Sequence, residues 1–145
     1  KMRVLHDVVG ENFNLDHVVI STRGIFLIET KTYSKPIKGK AEITFDGKTI
    51  FKNGQNIGKD IVIQVKAGSK WLSDLIEELT AKKYPVQSAF LFSGWFFKMT
   101  GKTKSDIWVV NPKNLGTFIS KKEEILSEED VKLISNHLGR FIRGK

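Results

Sequence analysis

The sequence predicts an α/β fold: a mixed β-sheet of about four or five strands flanked by helices, with an additional β-hairpin. Three observations support this prediction. Apolar strand-like segments fill the first 31 residues, a long amphipathic segment with a helical period follows, and strand-like segments then precede a capped C-terminal helix. With 145 residues, the chain is long enough to bury a single core.

Alternating and β-branched residues indicate the first strands, near Arg3–Val9, His17–Ser21 and Ile25–Lys31. A further hairpin is predicted for "AEITFDGKTIF" (41–51), because Asp46-Gly47 is the preferred two-residue turn between alternating strands. We expect the next segment, "KNGQNIGKD" (52–60), to form a loop, because it contains several Gly and Asn residues.

A long helix is predicted from about Ile61 to Ala81, because apolar residues recur there at three- and four-residue steps. The segments "YPVQSAFLF" and "DIWVVNP" are strand-like, and Asn111-Pro112 should end the second. A last helix follows, since Ser127 is a favourable N-cap with Asp130 three residues on. The apolar stripe of this helix is Val131, Ile134, Leu138 and Phe141.

The composition restricts the class of protein. Apolar residues make up 40% of the chain and charged residues 28%, which is typical of a soluble globular domain. No apolar run approaches the ~18 residues of a membrane helix. The sequence contains no cysteine, which excludes disulfides and thiolate metal sites and favours a reducing compartment. We therefore expect a cytoplasmic protein.

The formal net charge of +8 arises from 24 lysines and arginines against 16 acidic residues. This excess favours a polyanionic partner, either nucleic acid or an anionic membrane surface, and a merely solvated surface is an equal alternative. The lysines are grouped, as in "KTYSKPIKGK" (31–40) and "KMTGKTK" (98–104). Grouping favours nucleic acid, because phosphate binding needs several cations within reach of one backbone.

Charged residues interrupt the second predicted hairpin strand, "GIFLIETK", where a buried strand would continue with apolar residues. With Arg23-Gly24 as the hairpin loop, Asp16 at the start of the partner strand lies opposite Lys31 and diagonal to Glu29. A register shifted by two would place Asp16 opposite Glu29 instead. All three side chains share one face in both registers, whereas a register of the other parity would put Asp16 on the opposite face.

Two carboxylates brought together at the rim of a sheet repel each other, and desolvation raises the pKa of at least one. A divalent cation such as Mg²⁺ or Mn²⁺ removes this penalty. A cation held beside an ammonium group suits phosphodiester hydrolysis, because the lysine can orient the attacking water or stabilise the developing oxyanion. The alternative is a structural salt bridge at the sheet edge, between Lys31 and Asp16 or Glu29.

The segment "LDHVVISTRGIFLIETKTYSKPIKGK" (15–40) resembles the nuclease-related domain (NERD), a branch of the PD-(D/E)xK nuclease superfamily. Members of this branch show Asp-His followed by apolar residues, then Gly, an apolar strand and Glu-x-Lys, and then a Gly-containing segment. The matching residues are Asp16-His17-Val18-Val19, Gly24–Lys31 and Gly39. Gln64 agrees as well, because the family has a glutamine early in the helix after the catalytic strands.

The resemblance implies a restriction-endonuclease-like core and a role for individual residues. Asp16 and Glu29 would be ligands of Mg²⁺ or Mn²⁺, with the Thr30 carbonyl as a third oxygen ligand. Lys31 would be the catalytic lysine, and Gln64 would point from its helix toward the same centre. The lysines just past the catalytic strand would contact phosphates; they are Lys35, Lys38 and Lys40.

The superfamily also commonly carries an acidic residue on a helix before the first strand. This chain begins in a strand, and its nearest acid, Glu11, lies in a predicted loop. We therefore expect residues 1–145 to be a single nuclease-related domain that lacks the N-terminal helix and is cut from a longer protein with other domains fused to it.

The predicted function is a metal-dependent endo- or exonuclease that hydrolyses phosphodiester bonds of DNA in processing or repair. Nucleic acid, DNA above all, is the expected partner, with homodimer formation and no membrane binding. The alternative is a non-catalytic nucleic-acid-binding or accessory module with the same fold.

Other motifs favour structural interpretations. "GWFFKMTGKT" (94–103) ends like a phosphate-binding loop, but Phe96 stands where that motif needs its first Gly. The aromatic run 95–97 is typical of a core or a covered loop. His6, His17 and His137 lack metal-ligand spacing, and His17 alternates to the face opposite Asp16.

Overall fold

The computed structural model describes residues 2–10, 14–31, 42–92, 96–99 and 107–144, and for residues 58–60 and 96–99 it describes the backbone alone. The described elements are, in chain order, β1 (Arg3–Val9), β2 (Asn14–Ser21), β3 (Gly24–Lys31), β4 (Glu42–Phe45), β5 (Ile50–Lys52), β6 (Gln55–Gly58), α1 (Lys59–Thr80), β7 (Val86–Phe92), β8 (Phe96–Met99), β9 (Ile107–Val110), α2 (Pro112–Ser120) and α3 (Glu128–Arg143). No helix in these ranges is long and apolar enough to span a lipid bilayer.

The main sheet has five strands in the order β1-β2-β3-β7-β9. β1, β2 and β3 pair antiparallel, whereas β3, β7 and β9 run parallel. β3 is central, and its residues are apolar on both faces because both faces are covered. Ile25 and Leu27 enter the larger core, whereas Phe26 and Ile28 enter a smaller core on the other face.

The helices form a layer on each side of this sheet. α1 and α3 pack together over the Leu27 side, and α2 packs over the Phe26 side, where Ile119 closes the smaller core. The predicted long helix is therefore confirmed as α1, and the C-terminal helix as α3. In α3, the Ser127 side chain accepts a hydrogen bond from the Asp130 N–H, and the Asp130 carboxylate accepts one from the Ser127 N–H. This architecture confirms the predicted α/β fold and is consistent with a nuclease-like core.

A second, smaller sheet has the order β6-β5-β4-β8. The predicted hairpin is confirmed as β4–β5, but its loop has four residues rather than two, because Phe45 pairs with Ile50. The Asp46 side chain stabilises this longer loop by accepting hydrogen bonds from the N–H groups of Lys48 and Thr49, at 2.8 and 2.7 Å. The preference of Asp-Gly for a two-residue turn is thus overridden by side-chain bonding within the loop.

Three elements were not expected from the sequence: β6, β8 and α2. The segment predicted as a loop over 52–60 contains a tight turn at Asn53-Gly54, both with positive φ, followed by β6. Asn111-Pro112 ends β9 as predicted, but it also starts α2: the Asn111 side chain accepts a hydrogen bond from the Asn114 N–H, and Pro112 occupies the first turn. A proline that ends a strand is equally suited to begin a helix.

The turn between β2 and β3 is displaced by one residue from the predicted position. Ser21 pairs with Gly24, so the loop is Thr22-Arg23 rather than Arg23-Gly24, and the predicted pairing of Thr22 with Ile25 is wrong. The Ser21 hydroxyl accepts a hydrogen bond from the Arg23 N–H, which favours this loop. The Thr22 carbonyl in turn accepts hydrogen bonds from two backbone N–H groups of the α2–α3 connection, those of Ile125 and Leu126.

Candidate active site

A cleft of about 230 Å³ opens where the carboxyl end of β3 meets the first half of α1. The strand period of two turns Leu27, Glu29 and Lys31 toward α1. Leu27 is fully buried, whereas Glu29 and Lys31 are half-buried, so β3 changes from core to cleft wall at Glu29. Gln64 faces the same cleft from α1, and the other lining residues are Asn14, Leu15, Ile61, Val65, Gly68 and Phe90.

Asp16 lies beside this cleft, at the point where β2 and β3 stop pairing. The paired residues run from Ser21 with Gly24 to His17 with Ile28, and the same register continues to Asp16 opposite Glu29. Here the Asp16 carboxylate replaces a backbone acceptor, because its Oδ2 accepts a hydrogen bond of 3.0 Å from the Thr30 N–H. This bond fixes the carboxylate at the end of β3.

The regular alternation of side chains breaks at Asp16. Leu15 and Val18 both enter the core on the α1 side, although residues three apart in a regular strand point to opposite faces. The irregularity is shared with β1, where Asp7 has a φ of 52° between His6, the partner of His17, and Val8, the partner of Leu15.

As a result, Asp16 is not among the residues that line the cleft. Its side chain lines a second opening, of about 540 Å³, together with Thr30, His6, Asp7 and His17. It also adjoins Glu29, whose pKa it raises. The predicted cluster on one face is therefore formed by Glu29 and Lys31 together with Gln64, and Asp16 lies at its border.

Burial is the largest cause that raises the pKa of Glu29 from 4.5 to about 7, and the charge and side-chain hydrogen bonding of Asp16 add to it. A backbone hydrogen bond from Asp16 and the charge of Lys31 act in the opposite direction. The two carboxylates therefore repel each other in a partly desolvated site and lack a full compensating charge.

The donor set is suited to a hard cation. Two adjacent carboxylates supply the oxygen ligands that Mg²⁺ and Mn²⁺ prefer, and the ion would relieve the repulsion that raises the pKa of Glu29. In the described parts of the chain, no group of three or more His, Asp and Glu side chains could hold a metal ion. Any further ligand from these residues would have to come from the backbone or a neutral side chain, and Mg²⁺ usually keeps several waters.

A structural salt bridge at the sheet edge was the alternative for these residues. Over residues 14–31 and 42–92, ion pairing joins Lys70 to Asp74, and none joins Lys31 to Asp16 or Glu29. The charge of Lys31 nevertheless lowers the pKa of Glu29, so the ammonium and the carboxylate interact across the cleft wall without direct contact.

Of the residues predicted from the sequence, the structure places Glu29, Lys31 and Gln64 in the cleft, and Asp16 and Thr30 in the opening on the other side of the sheet. Lys35, Lys38 and Lys40 lie outside the described residues, as does Glu11. Asn14 lines the cleft and was not considered from the sequence. The shifted register would have identified it, because a register with Asp16 opposite Glu29 also places Asn14 opposite Lys31.

A family model described as the nuclease-related domain (NERD) matches residues 1–93. The matched segment contains every residue of the cleft and ends just after β7, before β9, α2 and α3. No curated protein and no solved structure shows significant similarity to the chain.

Proposed function

The chain belongs to the nuclease-related domain family, and from this premise we propose that it is a divalent-metal-dependent nuclease that hydrolyses phosphodiester bonds of DNA. The observation that carries the proposal is the pair Asp16 and Glu29, which repel each other at the rim of a cleft that also contains Lys31 and Gln64. A structural role does not require such a pair, because it costs stability unless a cation is bound.

Asp16 and Glu29 would hold Mg²⁺ or Mn²⁺, with the Thr30 carbonyl as a further oxygen ligand. When bound, such a cation acidifies water and offsets the negative charge of the phosphodiester. The hydrogen bond from the Thr30 N–H to Asp16 Oδ2 keeps one oxygen of this carboxylate in a fixed direction. Because the carboxylate is already held in place, little free energy is spent on reorienting it during the reaction.

Lys31 would stabilise the negative charge that develops on the phosphate, or orient the attacking water, from the wall of the same cleft. The Gln64 amide can donate a hydrogen bond to a phosphate oxygen and accept one from water. Between these polar groups the floor is apolar, formed by Leu27, Val65 and Phe90. An apolar floor excludes water and strengthens the electrostatic interactions above it.

The basic composition supports a nucleic-acid substrate. The net charge of +8 would attract a polyanion, and Lys35, Lys38 and Lys40 follow the catalytic strand in sequence, where they would contact phosphates beyond the scissile bond. Because such contacts release counterions, DNA binding should weaken steeply as the salt concentration rises.

A second candidate is a non-catalytic nucleic-acid-binding or accessory module. The observation in its favour is that the described residues offer two carboxylates at the site and no third acidic side chain within metal-binding reach. This candidate predicts salt-sensitive DNA binding that does not depend on a divalent metal and that survives Asp16→Ala.

Plasmid DNA distinguishes the two candidates. The wild-type chain should convert supercoiled plasmid to nicked or linear forms with Mg²⁺ or Mn²⁺ and not with EDTA. Glu29→Gln should lose this cleavage, whereas Glu78→Gln, an exposed acid of α1, should keep it. If DNA is bound but left intact by the wild-type chain at every metal concentration, the nuclease proposal is wrong and the binding module is favoured.

A further inference from the structure

Two histidines meet across β1 and β2, on the side of the main sheet that faces away from the cleft. His6 pairs with His17 in the strand register, and the two Nδ1 atoms lie 2.7 Å apart. Their rings are nearly perpendicular, with centroids 4.8 Å apart. His6 is exposed and His17 is half-buried, and both line an opening on this side of the sheet.

The spacing of the nitrogens is close to that of a chelating pair. Two imidazole nitrogens bound at about 2.1 Å to adjacent positions of an octahedral or tetragonal ion lie about 3.0 Å apart, and about 3.4 Å apart on a tetrahedral ion. The observed 2.7 Å is nearer the first value. An ion would replace the hydrogen bond between the two rings, and the exposed His6 ring would turn to admit it.

The surroundings favour a cation and leave room for water. The opening of about 540 Å³ is lined by the two histidines together with Asp7, Asp16 and Thr30, so the side chains around the nitrogens are acidic or neutral. No third His, Asp or Glu of the described residues completes a metal-binding group there. The protein would thus supply two ligands, and solvent would supply the others.

We propose that His6 and His17 form a binding site for a late first-row transition-metal ion, with Cu²⁺ and Ni²⁺ preferred to Zn²⁺. The preference follows from two properties of these ions. Imidazole sites bind Cu²⁺ more tightly than Zn²⁺ in the general affinity order, and Cu²⁺ and Ni²⁺ accept the tetragonal or octahedral arrangement that the short nitrogen separation requires.

This site differs in chemistry from the carboxylate pair. Nitrogen donors select late transition metals, whereas the oxygens of Asp16 and Glu29 suit Mg²⁺ or Mn²⁺. An ion on the histidines would also link β1, at the edge of the sheet, to β2. We therefore expect it to stabilise the fold by mass action, independently of any nuclease activity.

The test is a calorimetric titration of the full chain with Ni²⁺ in the presence of Mg²⁺, with Cu²⁺ electron paramagnetic resonance as a second readout. The wild-type chain should bind one equivalent, and its Cu²⁺ spectrum should show two nitrogen ligands. His6→Gln should weaken binding at least about tenfold. His137→Gln, a half-buried histidine of α3, serves as the matched control and should bind like the wild type.

Two further variants distinguish loss of the metal site from loss of the fold and from binding at the carboxylate pair. His17→Gln should weaken binding as His6→Gln does, which covers the case in which one of them fails to fold. Glu29→Gln should leave Ni²⁺ binding unchanged. Equal Ni²⁺ affinity of the wild type and of folded His6→Gln would overturn the proposal. Loss of Ni²⁺ binding in Glu29→Gln, with binding retained in the histidine variants, would also overturn it.

Discussion

The two sides of the main sheet differ where β2 begins and β3 ends, although Asp16 borders both. On the α1 side, Glu29 and Lys31 line a narrow cleft with an apolar floor. On the other side, His6 and Asp7 line a wider opening that is largely solvated. The pKa of Glu29 is raised chiefly by burial, so the α1 side is where charges interact strongly.

This comparison indicates that burial, rather than the number of polar groups, determines where strong electrostatic effects occur. Both openings contain ionisable side chains from neighbouring strands. Among these side chains, Glu29 of the cleft is the carboxylate that burial and a neighbouring like charge act on together. Substitutions of Glu29 and Lys31 should therefore change activity and pH dependence, and substitutions of His6 and Asp7 in the opposite opening should change neither.

The largest expected effect is that of Lys31→Ala. Removal of the ammonium should lower metal-dependent plasmid cleavage about 100- to 1000-fold, because a preorganised group that stabilises transition-state charge is typically worth this much. Lys132→Ala on α3 is the control, since it removes an equal charge from an exposed position far along the chain. If Lys31→Ala has the circular dichroism spectrum of the wild type and cleaves plasmid DNA at the same rate, the catalytic role of Lys31 is contradicted.

The second effect concerns stability and pH. The pKa of Glu29 is 4.5 in its ordinary state and about 7 in the fold. Between these values the folded state binds more protons than the unfolded state, so this group makes stability fall as the pH rises through that window. Above pH 7 the full cost is present, and it should be about 2 kcal/mol or less, because the carboxylate remains partly solvated.

Glu29→Gln should remove this dependence. Without divalent metal, the variant should have a higher free energy of unfolding than the wild type at pH 8. The two free energies of unfolding should be equal near pH 4.5. Urea unfolding at several pH values measures it, with Glu78→Gln as the exposed control. A wild-type chain that gains stability relative to Glu29→Gln as the pH rises from 4.5 to 7 would show that the carboxylate is stabilised rather than strained.

The smallest effect is expected on the opposite side of the sheet. Asp7 has a φ of 52°, a conformation that Gly adopts without steric cost and that Ala does not. Asp7→Gly should therefore be about 1 kcal/mol more stable than Asp7→Ala in thermal or urea unfolding. Both variants should cleave plasmid DNA at the wild-type rate; a loss of cleavage in both would mean that the Asp7 side chain contributes to catalysis.

Much of the fold could be predicted from the sequence, because its strongest signals are local. The apolar and β-branched residues of β1 to β3, the helical period of α1 and the cap at Ser127 are each patterns of residues close in the chain. α2 was missed because Asn111-Pro112 ends one element and starts the next. β6 was missed because its Gly and Asn residues are typical of loops, and pairing with β5 overrides that preference.

The candidate site depends more on distant contacts. Its residues could be identified from the sequence, but the register that brings Asp16 opposite Glu29 is fixed partly by hydrogen bonds from Ile125 and Leu126 to the Thr22 carbonyl. Those residues are about 100 positions from Thr22, so no local pattern predicts the bond. The break in alternation at Asp16 likewise lies opposite an irregular residue of another strand, Asp7.

The central claim is that Asp16 and Glu29 bind a divalent cation, and calorimetric titration with Mn²⁺ tests it most directly. Because the pKa of Glu29 is about 7, binding at pH 7 should release roughly half a proton, seen as a dependence of the heat on the buffer, and the release should disappear at pH 9. Glu29→Gln should bind at least about tenfold more weakly and release no proton. Mn²⁺ binding of equal affinity in both chains, or no binding by the wild type, would contradict the claim.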